Sequence, residues 1–290
     1  MKRMLAIVVG LAVCVFLLAP GTTAYAADKD MTIAPLRTEK TLAAGRSIVG
    51  RFTVTNDTKR PMEVNLSVKQ FSVKDYSYDY TFRNPDNKWL TFQNDHVTLQ
   101  PNGSKEISYT VTIPSDAAPG GYYFSMIAST TVADAEESSF PVTIQLGSLL
   151  YLTVDGTVTK KSQLEGADIA FLQFGHDIPY RFDVRSTGNT HFTADFFAQV
   201  DGLGRSEQTY FLLPETVRRI TGSVQAPAWP GFYSVTYGYQ ADFMASPTIK
   251  TVRILYIPPW FGLFAAVLIL LAVGSLVQRV VRRRSANSSR

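Results

Sequence analysis

Cysteine is almost missing from this sequence: Cys14 stands alone, inside the apolar run near the N-terminus. Beyond that run there can be no disulfide, no thiolate nucleophile and no cysteine-ligated metal. Histidine is nearly as scarce, and His96, His176 and His191 form no His-x-x-x-His pair. No Gly-x-Ser-x-Gly elbow and no glycine-rich phosphate loop occurs, so the common hydrolase and nucleotide-binding signatures are absent. The oxygen-bearing residues Asp75, Asp79, Asp86 and Asn87 match no calcium-caging spacing. These absences predict a non-enzymatic chain with no cofactor and no metal. Helical periodicity is also lacking in every window before Trp260.

The ends are the most polarised parts. Lys2 and Arg3 precede an apolar run to Leu18, and Ala24-Tyr25-Ala26 supplies the small residues of a cleavage site. Residues 1–26 are therefore expected to be a secretory signal. At the far end, Trp260 to Val277 is an 18-residue stretch without charge, followed by Arg279, Arg282, Arg283, Arg284 and Arg290. The expectation is a membrane helix over 258–278 and a cytoplasmic basic tail over 279–290, with the bulk of the chain outside a plasma membrane. Removing Lys2, Arg3 and those five arginines takes the 28 basic residues to 21, against 24 acidic ones. The basic pI thus belongs to the targeting segments and argues for no nucleic-acid partner.

Between the ends one pattern occurs twice. Gly45 to Val54 returns 130 positions later as Gly175 to Val184; Leu99, Pro101, Ile107, Val111 and Pro114 return after 113 positions, and Pro119-Gly120 after 111. Echoes in one order with shrinking offsets mean one fold used twice, with an insertion in the first copy between Phe71 and Leu99. Alternating strands such as Phe52/Val54, Val64/Leu66/Val68 and Ile107/Tyr109/Val111, separated by turn clusters, specify an all-β chain. Two tandem immunoglobulin-like antiparallel sandwiches are expected, over 27–157 and 158–257. Leu213-Pro214-Glu215-Thr216 resembles a sorting signal but aligns with a turn of the first copy, and is read as a turn.

The insertion is the least generic segment. Tyr76, Tyr78, Tyr80 and Phe82 fall at every second position, with Trp89 shortly after. If extended, this segment places four aromatics on one face. Exposed, such a row would stack on sugar rings or anchor a protein; packed inward, it would be an ordinary core face.

The whole layout resembles the WxL-interacting surface proteins of Gram-positive bacteria. The likeness rests on Leu42-Ala-Ala-Gly45, Val54-Thr-Asn56-Asp57-Thr58, Leu99-x-Pro101 and Ile113-Pro114 followed by Pro119-Gly120-Gly121. It implies a first module facing cell-wall peptidoglycan and a second contacting surface or host proteins. The resulting expectation is a membrane-anchored binder of cell-wall polymer or of a protein partner, the alternative being a structural spacer or accessory subunit of a membrane complex.

Overall fold

In the computed structural model, residues 30–132, 142–262, 264, 268–269 and 271–275 are described. The expected signal segment and the basic tail lie outside them. The first half contributes β1 (Met31–Ala34), β2 (Arg37–Leu42), β3 (Ser47–Asn56), β4 (Met62–Val73), β5 (Tyr80–Arg83), β6 (Leu90–Phe92), β7 (His96–Leu99), β8 (Ser104–Thr112), β9 (Gly120–Val132) and β10 (Val142–Val154). The second contributes β11 (Ser162–Asp168), β12 (Leu172–Gln173), β13 (Asp177–Ser186), β14 (Phe192–Val200), β15 (Arg205–Leu212), β16 (Val217–Gln225), β17 (Gly231–Ala241) and β18 (Thr248–Tyr256).

In the first half, a sheet ordered β1-β3-β8-β6 faces one ordered β2-β10-β9-β4-β5, to which β7 adds beside β4. In the second, β11-β13-β16 faces β12-β18-β17-β14-β15. Period-two alternation builds each core. Along β3, Phe52 and Val54 turn inward onto Ile107, Tyr109 and Phe124; along β13, Phe182 and Val184 turn onto Ile220, Phe196 and Tyr237. Each half closes its own apolar core, as an immunoglobulin-like sandwich does.

The repeat extends to the residue register. Phe52 pairs with Ile107 and Phe182 with Ile220. Met62 pairs with Leu99 and Phe192 with Leu212. In both halves a tyrosine hydroxyl donates back to a carbonyl four residues upstream, Tyr122 to Ala118 and Tyr233 to Trp229, each at 3.0 Å. One cross-strand pair is inverted between the copies. Gly50 faces Tyr109 in the first, whereas Tyr180 faces Gly222 in the second. A Cβ on Gly50 would lie 2.2 Å from the Tyr109 ring, and one on Gly222 2.5 Å from the Tyr180 hydroxyl. One ring covering one glycine is the packing unit, and either strand can supply the ring.

The insertion is visible as β5 and β6, which have no counterpart between β14 and β15. Asn56, the last residue of β3, is fully buried. Its amide donates to the Arg60 and Gln100 carbonyls, and its carbonyl accepts from Thr58.

After β18, Pro258 and Pro259 lead into a helix that includes 259–262, 264, 268–269 and 271–275. Among the described residues no helix is long and apolar enough to cross a membrane; the remaining positions of the expected 258–278 span lie outside them.

Candidate functional site

The aromatic row does not share a face, which corrects the expectation of four aligned rings. Only β5 is extended, pairing Val73 with Tyr80 and Phe71 with Phe82. Ahead of it the chain turns tightly: the Tyr78 N–H donates to the Lys74 carbonyl and the Lys74 N–H to the Asp79 carbonyl, both at 3.0 Å. Tyr76 and Tyr78 sit at φ 66° and 60°, in the left-handed region where period-two alternation ends. Trp89 departs altogether. It precedes β6, on the other sheet, and packs on Tyr122 with centroids 4.4 Å apart against the first core.

Tyr80 and Phe82 remain together. Their rings stack at 6.2 Å and 25°, both about half exposed, over the outer face of the β2-β10-β9-β4-β5 sheet. Phe71, on β4, supports them at 5.5 Å and 6.4 Å. They form one wall of a groove of about 430 Å³; Leu36 and Leu149 form another, and Ser67, Ser125, Ile127 and Gly147 lie along its floor. Lys69 also lines the groove, its Nζ donating to Asn84 Oδ1 at 2.7 Å. Gly147 keeps the floor low, since a Cβ there would lie 2.7 Å from Ser125 Oγ. That buried hydroxyl has no hydrogen-bond partner among the described residues, an uncommon condition for a buried polar atom.

Tyr76 and Tyr78 serve a different contact. The turn carrying them docks on Leu213-Pro214-Glu215-Thr216, which is indeed a turn, between β15 and β16. Tyr78 Oη accepts from the Leu213 N–H at 2.6 Å, the Tyr76 N–H donates to the Val217 carbonyl at 2.8 Å, and the Val217 N–H donates to Asp75 Oδ1 at 2.8 Å. The Arg218 guanidinium lies between the Tyr78 and Tyr210 rings, 4.1 and 4.0 Å from their centroids. Arg219 lies 4.6 Å over Tyr76 while its Nε and Nη2 donate to the two carboxylate oxygens of Asp183, each at 2.9 Å. Beneath them Phe71, Val73, Tyr123, Tyr151 and Leu213 form a third apolar cluster that belongs to both halves. Burial holds the Tyr78 phenol above its usual range, so it stays neutral in this contact.

Two further residues close the junction. Asn189 accepts from the Thr159 N–H at 2.7 Å and donates to the Thr157 and Pro119 carbonyls, tying the 155–161 connection to both halves. His191 is buried between Tyr151, stacked Phe211 and the Tyr123 hydroxyl, with Nδ1 3.3 Å from that oxygen and Nε2 3.7 Å from Glu39 Oε2. Burial lowers its pKa, outweighing the attraction of half-exposed Glu39; Lys160 and Asp242 act more weakly in opposite directions. The folded chain therefore binds the proton less readily than the unfolded chain, in which histidine titrates near about 6.5. Stability is retained above that pH and declines as pH falls below it, levelling off beneath the folded pKa. Thermal unfolding at pH 7.5 and 5.5 should show a larger acid loss for the wild type than for His191→Gln; equal losses would remove the assignment.

Among the described residues no group of three or more His, Cys, Asp and Glu is placed to hold a metal ion. Leu36, Ser125, Gly147, His191, Arg218 and Asn189 carry the geometry of these two contacts, and none of them stands out in the linear pattern.

No family model and no curated protein matches the chain. Among solved structures, the class 5 fimbriae chaperone CfaA aligns over 79% of this chain and 99% of its own, at 12% identity and a TM-score of 0.43. The CsuC-CsuE chaperone–tip adhesion subunit complex from archaic chaperone-usher Csu pili of Acinetobacter baumannii covers 78% and 99%, at 9% identity and 0.42. The E. coli chaperone DraB covers 77% and 96%, at 11% identity and 0.38.

Proposed function

We propose that this chain is a non-enzymatic surface protein of the WxL-interacting kind, held in a plasma membrane by its C-terminal segment, whose first sandwich binds a glycan strand of the cell wall in the β5 groove. The observation that carries this reading is the Tyr80–Phe82 stack, half exposed above a floor that Gly147 leaves open. Aromatic faces match the apolar C–H faces of sugar rings. The small, exposed polar side chain of Ser67 can meet a sugar hydroxyl. Lys69 adds a cation at the rim for an acidic substituent. A protein partner is the second reading, because half-exposed aromatics also anchor proteins.

Co-sedimentation of the detergent-solubilised full chain with purified peptidoglycan tests the first reading. Tyr80→Ser/Phe82→Ser should weaken binding about tenfold or more at a temperature where the variant is still folded, since each stacking contact contributes about 0.5–1.5 kcal/mol beyond buried area; the lost contacts with Phe71 should lower its melting temperature as well. Undiminished binding by the double variant would move the site elsewhere. Failure of the wild type to bind peptidoglycan, with retention of a protein from the cell envelope that the double variant loses, would favour the second reading.

A further inference from the structure

The geometry points to a lipid-seated collar at the end of the second sandwich from which the helix departs; the inference rests on that helix entering a bilayer. Strand directions separate the two ends of this sandwich. The turns near 187–191 and 213–216 lie at the end that docks the first half. The opposite end holds the starts of β13 and β17 and the close of β18 at Tyr256.

Large apolar side chains are exposed at that opposite end on two separate loops. Phe171 and Phe174 flank β12, and Trp229 and Phe232 flank the start of β17, the latter two 68% and 72% exposed. Register places them at the level of the chain's exit. Leu172 and Phe232 both pair with Leu255, one on either side of β18. The Leu255 N–H donates to the Phe171 carbonyl at 2.7 Å, and the Ile257 N–H to the Gln173 carbonyl at 2.9 Å. Trp229 meets Trp260, on the first turn of the helix, edge to face at 5.6 Å, and Trp260 Nε1 donates to the Ala228 carbonyl at 3.3 Å.

The occupant follows from this continuity. Trp260 opens the uncharged run that ends ahead of the arginine cluster, so it stands where a membrane-entering helix meets the headgroup zone. Tryptophan and other aromatics favour that zone, where the ring is desolvated and a polar edge stays wet. Trp229 touches Trp260 directly and must share its depth, while Phe171, Phe174 and Phe232 ring the same exit strand. Arg253 is exposed on β18 two residues before Leu255, on the same face, and suits lipid phosphates. Two loops and the helix thus give three points of support, which fix the tilt of the sandwich as well as its attachment.

The test uses the full chain in lipid nanodiscs, with one tryptophan retained at a time: Trp89→Phe/Trp260→Phe leaves Trp229, and Trp89→Phe/Trp229→Phe leaves Trp260. Lipids brominated near the headgroup end of the acyl chain should quench both, with comparable loss of emission and a blue shift relative to unfolded chain. Quenching of Trp260 alone would overturn the collar while sparing the membrane reading. Quenching of neither would overturn both. Blue-shifted Trp229 emission without bromine quenching would assign this surface to a protein contact and likewise overturn the collar.

Discussion

Replacing Tyr78 with alanine is expected to undock the two sandwiches while leaving each one folded. The substitution removes the acceptor of the Leu213 N–H, one of the two rings around Arg218, and part of the cover over the shared Phe71–Tyr123–Tyr151–Leu213 cluster. A buried donor left unpaired costs about 1–3 kcal/mol, and a desolvated cation–π contact contributes up to about 2 kcal/mol. A combined loss of about 3 kcal/mol changes the docked-to-undocked ratio roughly a hundredfold. The measurement is trypsin cleavage at Lys160 and Lys161, in the connection that Asn189 ties down, using the full chain in detergent. Cleavage should accelerate strongly, and calorimetry should resolve two unfolding transitions. Tyr78→Phe, which loses only the hydroxyl, should fall between. An unchanged cleavage rate would show that the junction stands without this turn.

The second large effect is expected in the second core. Phe182 is fully buried, with Tyr180, Phe196 and Tyr237 rings at 5.9, 6.2 and 5.3 Å. Phe182→Ala should cost about 3–5 kcal/mol through lost transfer energy and the cavity left behind. For a sandwich of this size the melting temperature should fall by more than about 10 °C. In the Tyr78→Ala background only one of the two transitions should move, which would assign it to the second half. Equal movement of both would mean that the halves remain coupled through contacts other than Tyr78.

The repeat was readable because sheet pairing transmits sequence spacing directly into space. Offsets of 130 and 113 place Phe52 on Ile107 and Phe182 on Ile220 in the same register, and inward alternation does the rest. The aromatic row does not keep one face because alternation predicts a shared face only where the backbone is extended. Asp75, Ser77 and Asp79 are residues that favour turns, and they interrupt the strand where the tyrosines alternate. Trp89 follows the row closely in sequence, yet β6 carries it to the opposite sheet. His191 and Phe211 lie 40 and 60 positions from Tyr151, and Arg218 lies 140 from Tyr78, and no local pattern records such a pairing. The groove floor was equally silent: Ser125 and Gly147 are ordinary strand residues until β9 and β10 pair.

The placement of the exit strands has a mechanical consequence. β10 leaves the first sandwich from between β2 and β9, and β18 leaves the second from between β12 and β17. If the proposed groove ligand and membrane anchor were loaded against each other, tension along either strand would run across antiparallel ladders, to β9 and β17, whose hydrogen bonds lie perpendicular to the pull. Many bonds then bear the load together, whereas an edge strand peeled from its end would surrender them singly. β10 is gripped by six parallel pairs from β2 as well as by β9, while β12 offers β18 only two. On that reading the second sandwich should yield first under a steady pull.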